Sequence, residues 1–172
     1  MKTYTIIAGV SGTGKSSLAG VLRATFLGSV AEECIEKNIS FIQETTLTNP
    51  DDEYTVATAK GQGYYIRMHY VGLNSLDECL ARIKNRVRKG GCTVPEANVH
   101  KEFDGRWAAL NRILPYCDEV HFFDNDNGFV EVAEYRNGEV VGIGELRPEW
   151  LRELQGFLYQ TGRRSSFFAY NL

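Results

Sequence analysis

Along the chain, short β-branched and aromatic runs alternate with stretches that carry helix-start and helix-stop chemistry. Thr3–Ala8, Ile39–Gln43, Tyr64–Val71 and Glu119–Asp124 have the length and composition of strands. The intervening segments read as helices. Ser17–Leu27 is helical in character, with Gly28 placed to end it. Ala31–Lys37 is a short second helix, with Asn38 tolerating the left-handed conformation of a C-terminal cap. Asn49-Pro50-Asp51-Asp52-Glu53 combines a capping Asn, an early Pro and three acids against the positive end of a helix, which runs to Lys60 and stops at Gly61-Gln62-Gly63. Ser75-Leu76-Asp77-Glu78 is a capping box that opens a helix to about Lys89, where Gly90-Gly91 breaks it. Thr93-Val94-Pro95-Glu96 reads as a second box, opening a helix to about Leu114, limited by Pro115.

The pattern changes style near the end. Val130–Tyr135 and Glu139–Ile143 flank Asn137-Gly138, a hairpin signal, and Arg147-Pro148-Glu149-Trp150 opens a last helix to about Tyr159. Ser165–Leu172 is aromatic without a clear period.

The first strand runs into Gly9-Val10-Ser11-Gly12-Thr13-Gly14-Lys15-Ser16, of the form G-x-x-x-x-G-K-S. Strand, glycine-rich loop, helix is the context in which this string makes a phosphate site. Glycines let the backbone curl so that its amides converge on an anion. The cradle assigned on this basis comprises Gly9, Val10, Ser11, Gly12, Thr13, Gly14, Lys15, Ser16 and Ser17. Lys15 is placed to reach the β- and γ-phosphates, and the Ser16 hydroxyl to ligate Mg²⁺. The implied cofactors are ATP and Mg²⁺; adenine is preferred because no guanine-reading N-K-x-D string is present.

Helices between strands imply an α/β P-loop NTPase architecture of three layers: a mainly parallel sheet, helices on both faces, and an appended C-terminal β-hairpin and helix at about residues 128–160. At 172 residues, with no repeat or linker, residues 1–172 read as one domain. Ligands in such sheets sit at the carboxyl ends of the strands. That places residues 9–16, 44–46, 73–75 and 125–127 on one rim.

Composition narrows the classes. Net charge is -3 and the pI about 5.7, which weighs against a dedicated nucleic-acid-binding protein. Cys34, Cys79, Cys92 and Cys117 form no C-x-x-C pair, so the spacing supports reduced thiols of a cytoplasmic protein over a disulfide frame or a cysteine zinc site. No signal-peptide pattern precedes the first strand, and no apolar run is long enough to span a bilayer.

Phosphoryl transfer needs charge stabilisation and a group that orients or deprotonates the acceptor. Cations are supplied by Arg82, Lys84, Arg86, Arg88, Lys89, Lys101 and Arg106. Arg82, Arg86 and Lys89 share a helical face, and Gly90-Gly91 would let the segment at about 82–106 close as a lid; the alternative is a solvated basic face. Glu44 ends the second strand beside the phosphates, as a proton acceptor, a substrate ligand or a second-shell residue for the metal. Thr45 and Thr46 are candidate substrate contacts or turn caps. Asp51 and Asp52 read first as helix-start acids, and Asp124 and Asp126 as turn formers. Arg67 and His69 share one strand face; a lone strand histidine is more often structural, and His69 receives no role.

Three further segments carry a resemblance. Phe41-Ile42-Gln43-Glu44-Thr45-Thr46-Leu47, Arg86-Val87-Arg88-Lys89-Gly90-Gly91-Cys92-Thr93-Val94-Pro95, and Leu114-Pro115 through Phe123-Asp124-Asn125 are, with the P-loop, similar to the motifs of zeta-toxin-like small P-loop kinases. The resemblance implies transfer of the ATP γ-phosphate to a hydroxyl of a small molecule. In the family's characterised members this is the 3′-hydroxyl of the sugar in UDP-N-acetylglucosamine. It also implies an antitoxin-like partner and matches Glu44 to the family's substrate-contacting acid. From motif and position, Lys15, Glu44, Arg82 and Arg86 are the catalytic candidates, and Glu44, Thr45 and Thr46 the substrate contacts. The chain departs from the pattern in places. Residues 22–40 contain no counterpart of the family's general-base Asp, Cys92 replaces a His, and Lys101–Arg106 retains few of the family's arginines. Either Glu44 carries the base role or the site has no base. A small-molecule kinase is therefore weighed against a nucleotide-binding regulator without turnover and, third, a nucleic-acid-stimulated ATPase.

Overall fold

The computed structural model describes residues 1–22, 31–162 and 164–166, the last three as backbone. Among the described residues one sheet of seven strands organises the chain: β1 (Thr3–Ala8), β2 (Phe41–Thr45), β3 (Tyr65–Gly72), β4 (Glu119–Asp124), β5 (Val130–Arg136), β6 (Glu139–Gly142) and β7 (Arg164–Ser166). Their order is β2-β1-β3-β4-β5-β6-β7. The first four pair in parallel, so β1 is flanked by two strands that follow it in sequence. β5 returns antiparallel to β4, and β6 antiparallel to β5. Asn137 (φ 54°) and Gly138 (φ 82°) make the β5–β6 turn left-handed at both central residues, which matches the twist of the flanking strands.

Among the described residues seven α-helices join these strands: α1 (Lys15–Val21), α2 (Ala31–Glu36), α3 (Pro50–Gly61), α4 (Leu76–Arg88), α5 (Glu96–Asp104), α6 (Arg106–Ile113) and α7 (Glu149–Gln160). The expected extension of the first helix to Leu27, with Gly28 beyond it, lies outside the described residues. Several caps form as the sequence reading has them. The Asn49 side chain accepts from the Asp51 amide at 3.0 Å, and Ser75 accepts from the Glu78 amide at 3.2 Å. Asn38 is left-handed at φ 55°, and the Ile39 amide after it donates to the Cys34 carbonyl.

Two expectations need correction. The helix from Thr93 to Leu114 is two helices, α5 and α6, meeting at Gly105, and Leu114–Tyr116 is a 3₁₀ turn. The second capping box does not form: Pro95 occupies the cap position and no side chain caps α5. Pro95 is therefore outside the helix, not within its first turn.

The two faces of the sheet are unequal. Tyr4, Ile6, Ile66, Met68, Tyr70, Val120 and Phe122 alternate onto one face and meet α2, α3, α6 and α7 in the main core. Trp150 of α7 is buried against Gly72, where a Cβ would stand 2.4 Å from the indole, so only glycine admits this approach. The opposite face carries a smaller cluster of Ile7, Val71, Leu18 and Ala19, with Ile42, Phe123 and Phe129 against it. A third cluster (Val10, Leu73, Cys79, Ile83 and Val99) ties the glycine-rich loop to α4 and α5. No helix among the described residues is long and apolar enough to cross a membrane.

Candidate functional site: a phosphate cradle closed by α4 and α5

The loop between β1 and α1 has the curvature a polyphosphate cradle requires. Gly9, Gly12 and Gly14 have φ values of 150°, 90° and 105°. A Cβ would lie 2.5 Å from the Val71 carbonyl at Gly9, 2.5 Å from the Cys79 carbonyl at Gly12 and 2.4 Å from the Asn125 side-chain nitrogen at Gly14. Gly9 and Gly12 are thus required both by backbone conformation and by a neighbouring carbonyl, and Gly14 by its conformation, since the Asn125 side chain can turn aside. Thr13 locks the loop internally, its amide and hydroxyl both donating to the Val10 carbonyl. Val10 and Thr13 are buried, so their side chains serve the shape of the loop.

Lys15 is 9% exposed and its ammonium donates to the Val10 carbonyl at 3.1 Å. Burial pushes Lys15 below the usual lysine range, while the carboxylates of Glu44 and Glu102 oppose that shift. Ser16 donates its hydroxyl to Glu44, at 2.8 Å to one carboxylate oxygen and 3.1 Å to the other. Glu44 therefore stands on the side of the expected metal ligand.

Glu102 is a residue the sequence reading passed over. Its carboxylate accepts from the Ser11 amide at 3.0 Å. A carboxylate oxygen from α5 thus occupies one amide donor of the loop. No local pattern announces it, because the two residues are 91 positions apart.

Around the loop lies a cavity of about 830 Å³ whose lining includes Lys15, Ser16, Glu44, Thr46, Arg82 and Arg86. The rim thus gathers the loop, the end of β2, the basic face of α4, Val94 and Asn125, as the strand order requires. Residues 73–75 do not line this cavity; Leu73 is buried in one cluster with Val10. Arg82 donates to the Asn125 carbonyl at 2.6 Å and the Asp126 carbonyl at 3.3 Å, and the Asn125 side chain donates to the Thr13 carbonyl at 2.9 Å. These bonds stitch α4, the β4–β5 loop and the cradle together.

Other candidates fall elsewhere. Lys89 caps α4 away from the cavity, and Arg106 binds Glu153 at 2.7 Å and the Phe103 carbonyl, between the Phe103 and Trp107 rings. The lid-cation role is thus not met by Arg106. Thr45 lines the cavity, yet its hydroxyl donates to the buried Asp52 carboxylate at 2.7 Å and its oxygen accepts from the Leu47 amide, so Thr45 shapes the turn. Thr46 is hydrogen-bonded to Thr48 at 2.7 Å. Burial raises Asp52 above the usual carboxylate range. Asp124 is buried and accepts from the Trp150 indole at 2.7 Å, a structural role.

The family model that describes the zeta toxin matches residues 24–130, more than half of the chain. The chain belongs to the zeta toxin family. The match begins after the glycine-rich loop, so the cradle rests on its own geometry. An uncharacterised protein of Haemophilus influenzae is 39% identical over 62 residues, covering 36% of this chain and 44% of that protein, so the chain spans less than half of the length of this relative. Among solved structures, the native AvrRxo1-ORF1:-ORF2 complex aligns over 90% of this chain and 63% of that chain, with TM-score 0.61 and 16% identity. The same complex with ATP aligns over 91% and 63%, with TM-score 0.58 and 16% identity. These likenesses place the zeta-family chain in the P-loop kinase-like α/β fold.

Proposed function

We propose that this zeta-family chain is a small-molecule kinase that uses ATP and Mg²⁺. The observation that carries the reading is the Ser16–Glu44 pair beside buried Lys15, in a cradle that already holds a carboxylate on the Ser11 amide. The donors fit the polyphosphate. The amides of residues 9–16 would hold it, Lys15 would neutralise its terminal groups, and the Ser16 hydroxyl would ligate the metal. Bound Mg²⁺–ATP would supply the phosphoryl group and neutralise charge developing on it. Glu44, already bonded to Ser16, would hold the metal's shell through that hydroxyl. Glu44 is also the carboxylate in the cavity best placed to take the acceptor's proton. Arg82 and Arg86 would face the transferring group from α4, with Arg82 pre-oriented by two loop carbonyls.

The cavity volume suits a hydroxyl-bearing small molecule of nucleotide-sugar size, the class that the family resemblance implies. An antitoxin-like protein is the proposed partner, in keeping with the resemblance and with the relative that was solved as a complex with -ORF2. A second reading, a nucleotide-binding regulator without turnover, is favoured by one observation: residues 22–40 hold no counterpart of the family's general-base Asp.

The test is release of ADP from ATP and Mg²⁺ across a panel of nucleotide sugars, nucleosides and amino sugars, with Lys15→Ala as control. The kinase reading expects acceptor-dependent ADP formation that falls at least 10²-fold in the variant, the scale of losing one preorganised charge contact. Equal transfer by Lys15→Ala would refute the site. Tight ATP binding without turnover on any acceptor would establish the regulator.

A further inference from the structure

We propose that His121, Glu131 and Glu134 form a binding site for a borderline divalent metal ion such as zinc, on the sheet face away from the main core. The site is separate from the phosphate cradle and does not rest on the kinase reading. One nitrogen of His121 and one oxygen from each glutamate lie within 4.8 Å of one another, with His121 Nδ1 2.6 Å from Glu131 Oε1. One imidazole and two carboxylates make a three-ligand set that leaves a coordination position open.

The backbone builds this cluster deliberately. His121 of β4 pairs directly with Glu134 of β5. In a regular strand residues 131 and 134 would point to opposite faces, because side chains alternate with period two. The β4–β5 register shifts between Phe122 and Phe123, and Val132 is the extra residue. That bulge returns Glu131 to the face of Glu134 and His121. Bulges that re-aim side chains recur beside functional sites.

The surroundings fit a metal-bound imidazole. Glu119 lies behind the ring, 3.7 Å from His121 Nε2, and is itself held by Arg67 and by the Tyr65 hydroxyl at 3.0 Å. Coordination through Nδ1 places the ring proton on Nε2, toward this carboxylate, the usual second-shell arrangement. His69 stacks on the His121 ring at 5.3 Å and fixes its plane. The three ligand side chains are 20%, 34% and 26% exposed, sheltered yet reachable from solvent. Arg136 is the competing cation, with long contacts of 3.4 Å to both Glu134 and Glu119 and a half-exposed side chain. A divalent ion would displace it from Glu134.

The experiment is calorimetric titration of the full chain with zinc chloride, in a Cys92→Ser background that removes the exposed thiol. The expected result is one ion per chain, with affinity reduced at least about tenfold in Glu131→Gln/Glu134→Gln and increased in Arg136→Gln. No uptake by the parent, or uptake unchanged by the paired Gln substitution, overturns the proposal and leaves an ion-pair network only. Should the paired variant fail to fold, the melting temperatures of parent and Arg136→Gln decide. Both rise with zinc, Arg136→Gln at lower concentration, if the native site binds the ion. A flat response, or one identical in the two proteins, rejects it.

Discussion

The contact between Glu102 and the Ser11 amide sets two properties of this protein against each other. The carboxylate satisfies an amide of the glycine-rich loop and tethers α5 to it at 3.0 Å. On the proposed kinase reading, a polyphosphate entering the loop takes that donor, and the carboxylate would sit beside like charge. A hydrogen bond to a charged acceptor contributes about 1.5–3 kcal/mol, and the low end is taken for this partly buried carboxylate. Glu102→Gln keeps the shape and a neutral acceptor, which contributes about 0.5–1.5 kcal/mol. The difference, about 1 kcal/mol, lowers the barrier to displacement and predicts roughly fivefold tighter ATP binding. Glu102→Ala removes the competitor altogether and predicts about tenfold. The tether is lost in the same step, so the nucleotide-free variants melt lower, by roughly 2–4 °C per kcal/mol for a chain of this size. Titration calorimetry with ATP and Mg²⁺, paired with thermal melts without nucleotide, reads both quantities. Opposite signs are the signature, because general damage lowers affinity and stability together. Unchanged or weaker binding by Glu102→Gln refutes the competition and makes Glu102 a helper of the bound state.

Gly14→Ala forces a side chain into a left-handed residue and against Asn125, and is expected to weaken ATP binding at least about tenfold. Gly20→Ala, whose Cβ meets open space within α1, is the control and gains about 0.5–1 kcal/mol in denaturant unfolding. Trp150→Phe strips the buried Asp124 carboxylate of its indole donor and is expected to cost about 2–4 kcal/mol in the same assay. Asp124→Asn, which preserves an acceptor oxygen, costs less. Under native conditions a thiol reagent at mildly alkaline pH should label exposed Cys92 first. Burial holds the Cys79 and Cys117 thiols protonated up to about 11 and 12, so they react only on unfolding. Early labelling of either would contradict their enclosure.

What the chain shows in advance is what local chemistry determines. Asn49-Pro50 and Ser75 cap helices because the donors they satisfy lie within three residues. The glycine-rich loop is legible because its curvature is encoded in eight consecutive residues. The break at Gly105 is not, since a glycine in a helical pattern is usually tolerated. Here the Arg106 side chain turns back onto the Phe103 carbonyl and across to Glu153 of α7, a tertiary pull with no local mark. The Glu102 contact and the Thr45–Asp52 pair are equally silent, because their partners are set by how α5 and α3 pack. The bulge at Val132 hides for another reason: alternation along β5 alone sends Glu131 and Glu134 apart, and only the register with β4 reunites them.

The placement of β1 between two later strands has a consequence for synthesis. The first strand leaves the ribosome with neither neighbour made, and β3 is complete only at Gly72. Gly9 abuts the Val71 carbonyl, so the cradle at the end of β1 acquires its curvature only after that segment has emerged and docked. A nascent fragment that stops short of Gly72 therefore carries the glycine-rich string without the strand that shapes its loop.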